Sequence, residues 1–193
     1  MVMGGNINVT TVNDQTKDLL ETLRSLSNVD VLIGIPEEQS SREGGKVTNA
    51  ELAFIHTNGS PLKGIPARPF VEPAIEDPEN QEMIAVELRK AAESALDGNI
   101  EAMGRALVGA GMQGQNAVRD WFTSPKNNWA PNSPSTVLAK LRKTNTPIAR
   151  AAVQHVDEGG SLSDITGLEG MTKVMVDTDQ LRKAVTFVIR EKE

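Results

Sequence analysis

The sequence predicts an α+β domain in which a small, mainly antiparallel sheet packs against long helices. Three features carry that prediction. Val29, Val31, Ile33 and Ile35 alternate with Asp30, Leu32 and Gly34, and the run stops at Pro36, which has no N–H to give a strand ladder. Residues 78–123 keep apolar side chains at helical spacing for far longer than a strand would. Residues 184–190 then return to a β-branched pattern. A length of 193 residues suits a single domain, 1–193, with one core.

In chain order, Ile7, Val9, Thr10, Thr11 and Val12 make residues 7–12 a candidate edge strand, and residues 1–13 a candidate arm. Asn13 or Asp14 then offers an N-cap, and Leu19, Leu23 and Leu26 recur at i, i+4, i+7, so residues 14–27 read as a short amphipathic helix. The strand over 29–35 follows. Charges and Gly44-Gly45 make residues 36–46 an exposed loop. Thr48-Asn49-Ala50-Glu51 has the form of a capping box, in which hydroxyl and carboxylate each satisfy an orphaned backbone N–H, so a helix should run to about Thr57. Asn58-Gly59 ends it, and the prolines and glycines of residues 61–73 predict an extended chain.

Asp77-Pro78 starts the next helix, with Asp as N-cap and Pro at the first position, where a missing N–H costs nothing. Ile84, Leu88, Ala91 and Ala95 give its stripe, and Gly98 ends it. From Asn99 the period resumes through Ile100, Met103, Leu107, Ala110, Ala117 and Trp121, interrupted by Gly104, Gly109, Gly111 and Gly114. Each such glycine costs about 0.5–1 kcal/mol relative to alanine, so four of them require a tertiary reason such as close packing. Ser133-Pro134 opens another helix with Val137, Leu138 and Leu141. Residues 144–170 are ambiguous: Thr146-Pro147 could cap a short helix through Ile148, Ala152 and Val156, but Gly159-Gly160 and the polar stretch after it read as a long loop or arm. At the end, residues 173–176 and 184–190 read as strands of a hairpin-like terminus, with Asp177 and Gln180 capping the turn between them.

Composition narrows function. Lys+Arg number 20 against Asp+Glu 26, a formal net charge of -6, which argues against tight DNA binding. No apolar run approaches the roughly 20 residues of a membrane span, the start has no basic-then-apolar leader, and a soluble chain is expected. There is no cysteine, so disulfides and thiol chemistry are excluded. His56 and His155 stand far apart, and neither a Walker loop, a nucleophile elbow nor a zinc-protease motif occurs. The expectation is therefore no enzyme, no catalytic residue, no metal and no cofactor. Two patterns stay open as rivals. Gly109, Gly111 and Gly114 have the spacing of a dinucleotide fingerprint, which would make the run 109–114 a small-molecule or nucleotide site, although no strand precedes it. Asp177 and Asp179 could be paired metal carboxylates, or the cap of a turn.

One ordered set of motifs says more. Leu32-Ile33-Gly34-Ile35-Pro36 is followed by Ala53-Phe54-Ile55-His56-Thr57-Asn58-Gly59, then by Ile65-Pro66-Ala67-Arg68-Pro69-Phe70 before a long helix. Trp129-Ala130-Pro131-Asn132-Ser133-Pro134-Ser135-Thr136 and Val176-Asp177-Thr178-Asp179-Gln180-Leu181 come later. In this order they resemble the neck and tail-completion family of tailed bacteriophages, the virion-morphogenesis group that includes the Mu tail-completion protein G and relatives of the lambda minor tail protein Z. Asn58 stands where that family often has an aromatic residue, and Asp179 replaces its usual glycine.

The resemblance implies a structural virion protein of the head–tail junction, in a homo-oligomeric ring, touching other phage neck and tail proteins and assembled in the host cytoplasm. An assembly factor absent from the finished particle would carry the same signals. Within this pattern Ile65, Pro66, Arg68, Pro69 and Phe70 form the candidate partner-binding segment. The prolines stiffen it, Arg68 offers a fork of donors and Phe70 an apolar anchor. In that role Arg68→Ala would spare the thermal midpoint while abolishing infectious particles. The competing reading makes Phe70 core and Arg68 a cap on the preceding helix.

Overall fold

The structure, a computed structural model, describes residues 16–44, 46–175 and 179–192. Its elements are α1 (Thr16–Ser27), β1 (Val29–Gly34), α2 (Asn49–Asn58), α3 (Val71–Glu76), α4 (Pro78–Leu96), α5 (Ile100–Trp121), α6 (Pro134–Lys143), α7 (Pro147–Asp157), α8 (Gln180–Ala184) and β2 (Thr186–Glu191), with short 3-10 turns between some of them. The fold is α+β, a small antiparallel sheet on long helices. Among the described residues the sheet has two strands, β1 and β2, drawn from opposite ends of the chain.

Close packing of the sheet on the central helix α5 accounts for two of its four glycines, Gly111 and Gly114, but not for Gly104, where a Cβ would meet nothing within 4 Å. Ile33 faces Phe187 across the sheet, and this pair points at α5. A Cβ on Gly111 would lie 2.2 Å from the Phe187 ring, and one on Gly114 would lie 2.1 Å from Ile33 Cδ1. The two glycines sit three positions apart on one helix face, which matches the cross-strand pair they admit. Bulk is thus carried by the strands and space by the helix.

Two neighbouring clusters make up the body. Phe70, Ala74, Val118, Trp121, Phe122, Leu181 and Val185 bring α3, α5 and α8 together. Ala91 and Ala95 of α4 meet Met103, Ala106 and Leu107 of α5, with Leu23 and Leu26 of α1 against them. Alanines at these contacts let the helix axes approach closely.

Local signals set the helix starts as the sequence predicts. Thr48 and Glu51 form the reciprocal capping box, Asp77 accepts from the Glu79 amide, and Ser133 and Thr146 cap α6 and α7. Three expectations are corrected. Residues 61–73 are extended only in part, because Pro61–Lys63 makes a 3-10 turn and α3 already begins at Val71. Residues 144–170 are a loop only in part: α7 fills Pro147–Asp157 and packs on α6, residues 158–170 are irregular apart from the 3-10 turn Leu162–Asp164, and Leu141, Ala149, Ala152 and Leu168 are buried as a small core of their own. Residues 173–175 are not a strand, and β2 pairs with β1 rather than closing a terminal hairpin. The candidate strand over 7–12, the caps at Asn13 and Asp14, Val176 and the Asp177 cap lie outside the described residues.

Candidate functional site

The candidate segment is built onto the end of α2. Gly59 terminates that helix at φ 73°, and a Cβ there would fall 2.8 Å from the Ala67 nitrogen and 2.9 Å from the Ile65 oxygen. Only glycine satisfies both the backbone and the space. The chain turns through Gly64 and comes back antiparallel: the Ser60 amide donates to the Ile65 carbonyl at 2.8 Å, the Ile65 amide returns the bond at 3.0 Å, and the Arg68 amide donates to the His56 carbonyl at 2.6 Å. The helix end is thus served by the backbone of Arg68 and not by its side chain.

The guanidinium goes elsewhere. Arg68 is 6% exposed, and its Nε and Nη2 donate to the Ala130 carbonyl at 3.2 and 3.0 Å, with a further bond from Nη2 to Pro131 at 3.1 Å. Trp129 answers by donating its indole N–H to the Pro69 carbonyl at 3.0 Å. Phe70 is wholly buried, its ring 4.9 Å from that of Phe122, which stands edge-on to Trp129 at 5.8 Å. Of the candidate residues, Phe70 therefore sits in the core and Arg68 holds a loop. Ile65 is half-buried and Pro66 exposed, and with Arg68 they line a cleft.

That cleft has a volume of about 1110 Å³ and runs between residues 61–68 and the start of α6. Arg42, Lys63, Arg68 and Lys140 line it, with His56, and among the described lining residues Asp179 supplies the carboxylate. In a chain of net charge -6 this is a local inversion of sign. Sequence reasoning missed Arg42, Lys63 and Lys140 because they stand on separate elements and no spacing links them.

His56 is tuned by the same surroundings. Its Nδ1 is shut off from solvent with no hydrogen-bond partner among the described residues. Burial first, then the charges of Arg68 and Arg42, push its pKa below the ordinary histidine value. The unfolded chain thus takes up a proton at about pH 6.5 while the folded chain resists until lower pH, so stability is full above about 6.5 and falls as pH drops through it. Urea midpoints between about pH 7.5 and 5 should show this slope, and His56→Gln should flatten it. Equal slopes in both proteins would remove His56 from the account.

The other candidates do not converge. His155, in the last turn of α7, pairs with Asp164 of the following 3-10 turn at 3.3 Å. Gly109, Gly111 and Gly114 lie within α5, against Glu87, Phe187 and Ile33, where their amides are spent on the helix and form no cradle for a phosphate. Among the described residues no group of three or more His, Cys, Asp or Glu could hold a metal, and no helix is long and apolar enough to cross a membrane. Compared with known protein families, curated proteins and solved structures, the chain matches none.

The bonds of Arg68 revise its expected phenotype. Arg68→Ala strands two loop carbonyls and should cost about 1.5–3 kcal/mol of stability, the range for hydrogen bonds to charged groups. Arg68→Lys should recover only part, because a lysine side chain is shorter and lacks the planar Nε and Nη2 pair that grips the Ala130 carbonyl. Thermal unfolding of both variants decides it, and an unchanged midpoint in Arg68→Ala would return the side chain to a pure interface role.

Proposed function

We propose that this chain is a structural subunit of the phage head–tail junction, a neck or tail-completion protein that works in a homo-oligomeric ring with other neck and tail proteins, in the virion, after assembly in the host cytoplasm. The role is one of joining and not of catalysis. The observation that carries it is a meeting of motifs. The stretch 65–70 and the stretch 129–136, two pieces of the family-like pattern, are bonded to each other through Arg68, Pro69, Trp129, Ala130 and Pro131 across some 60 residues of sequence. A pattern whose separate parts form one joint behaves as a single structural unit, which supports reading the pieces together.

A nonsense mutation in the gene, in the phage that carries it, tests the proposal. Electron microscopy should show DNA-filled heads and separate tails, and mass spectrometry should find the chain in purified wild-type virions. Joined, infectious particles from the mutant would refute the junction role. Absence from wild-type virions together with unjoined parts would make it an assembly factor.

A further inference from the structure

The cleft gathers positive charge that is bonded to neutral groups and not to carboxylates among the described residues. Arg42 donates to the neutral Asn49 side chain, and Arg68 to backbone carbonyls, with its Nη1 unpartnered among the described residues. Neither of them, nor Lys63, has a carboxylate partner among the described residues, although exposed acids are abundant elsewhere. Like charges gathered in a partly dehydrated recess repel one another, and the repulsion is relieved when a counter-charge enters. His56 lies in the same surroundings, where burial first, and then the charges of Arg68 and Arg42, lower its proton affinity. Part of the rim is apolar: Pro61 and Pro66 line the cleft and are exposed, and Leu62, between the lining residues Pro61 and Lys63, is fully exposed.

We propose that this cleft is a docking site for an acidic segment of a partner protein, which places carboxylates against Arg42, Lys63 and Arg68 and an apolar side chain against Leu62 and Pro66. The occupant is protein and not nucleic acid for two reasons. Most of the positive charge is recessed, with Arg68 almost fully buried and Arg42 half-buried, and exposed Lys63 alone is too little for a basic surface that tracks duplex phosphates. Sugar–phosphate also has no use for an apolar rim, which a protein segment fills with its own side chains. Pro61, Pro66 and the bonds that staple residues 60–68 to α2 hold the wall in place before binding, so little ordering entropy is lost on docking. The inference leans on the assembly reading only for the existence of a protein partner.

The test uses the full chain and a short fluorescent peptide of alternating glutamate and leucine, with its lysine-for-glutamate counterpart as control. Saturable binding of the acidic peptide alone is expected at low ionic strength, weakening as salt is raised. Lys63→Glu should weaken it about tenfold, and Leu62→Ser by a smaller factor, while Arg89→Glu, an exposed reversal on α4, leaves it unchanged. Both Lys63 and Leu62 are exposed, so these variants fold. Failure of the peptide to saturate, or equal loss in Lys63→Glu and Arg89→Glu, would overturn the site. Duplex DNA or inorganic phosphate competing as well as the peptide would assign the cleft to phosphate and overturn the protein occupant. The binding result is independent of whether the chain is found in virions, so failure of the junction role and failure of the docking site are told apart.

Discussion

Replacing Phe70 by alanine should lower the stability of the chain by about 3–5 kcal/mol. For a chain of this size that corresponds to a fall of roughly 6–20 °C in thermal midpoint. The residue is wholly buried, the largest side chain so placed among the described residues, and it belongs to a cluster with Ala74, Val118, Trp121, Phe122, Leu181 and Val185. Its ring also begins the aromatic line to Phe122 and Trp129, so alanine removes a stacking partner as well as volume. The same line holds Trp129 where its indole reaches Pro69, and so the loop at Ala130 and Pro131 where Arg68 reaches it. A Phe70→Ala chain that stays folded should therefore also bind the acidic peptide less tightly. Phe70→Leu, which keeps most of the volume, should lose much less. If Phe70→Ala kept its midpoint while losing partner contacts, Phe70 would be the interface anchor that its place in the motif first implies.

How far the sequence reaches follows from the range of the forces involved. Helix starts are legible because Thr48 with Glu51, Asp77 with Pro78, Ser133 with Pro134 and Thr146 with Pro147 each satisfy backbone donors within one turn. The strand over residues 29–34 is legible from its alternation, and β2 from its β-branched residues. What the alternation does not contain is the partner: β1 pairs with a strand more than 150 residues away, in a register set by the packing of Ile33 and Phe187 on α5. Residues 144–170 look like a loop because Leu141, Ala149, Ala152 and Leu168 form a core only when α6 and α7 fold against each other. The cleft is illegible for the same reason. Its cations come from a loop, a 3-10 turn, the segment before α3 and α6 itself, and only the tertiary fold collects them.

The glycines of α5 allow the sharpest test of the fold, because the four of them should respond to one substitution in a fixed order. Gly104→Ala meets nothing within 4 Å and should gain the helix propensity of alanine, about 0.5–1 kcal/mol. Gly109→Ala places a Cβ 2.7 Å from a Glu87 carboxylate oxygen, the far end of a flexible side chain that can swing away, so its effect should be near zero. Gly114→Ala meets Ile33 Cδ1 at 2.1 Å, which a rotamer change relieves at the cost of contacts with Ile75 and the cluster around it. Gly111→Ala is the severe case. Its neighbours are Cδ2, Cγ and Cε2 of Phe187 at 2.2, 2.6 and 2.7 Å, and Cγ lies so close to the backbone that the ring cannot turn out of the way without moving β2. The expected loss is about 1–3 kcal/mol despite the gain in propensity, the usual range for overpacking. Phe187→Leu should itself destabilise the wild-type chain yet relieve Gly111→Ala, so a double-mutant cycle on urea midpoints should show strong coupling for this pair and almost none between Gly104 and Phe187. A run of glycines kept for a bound phosphate would behave differently, with all of Gly109, Gly111 and Gly114 tolerant in the free protein and no coupling to Phe187. That outcome would dismantle the packing account of α5 and reopen the run as a ligand site.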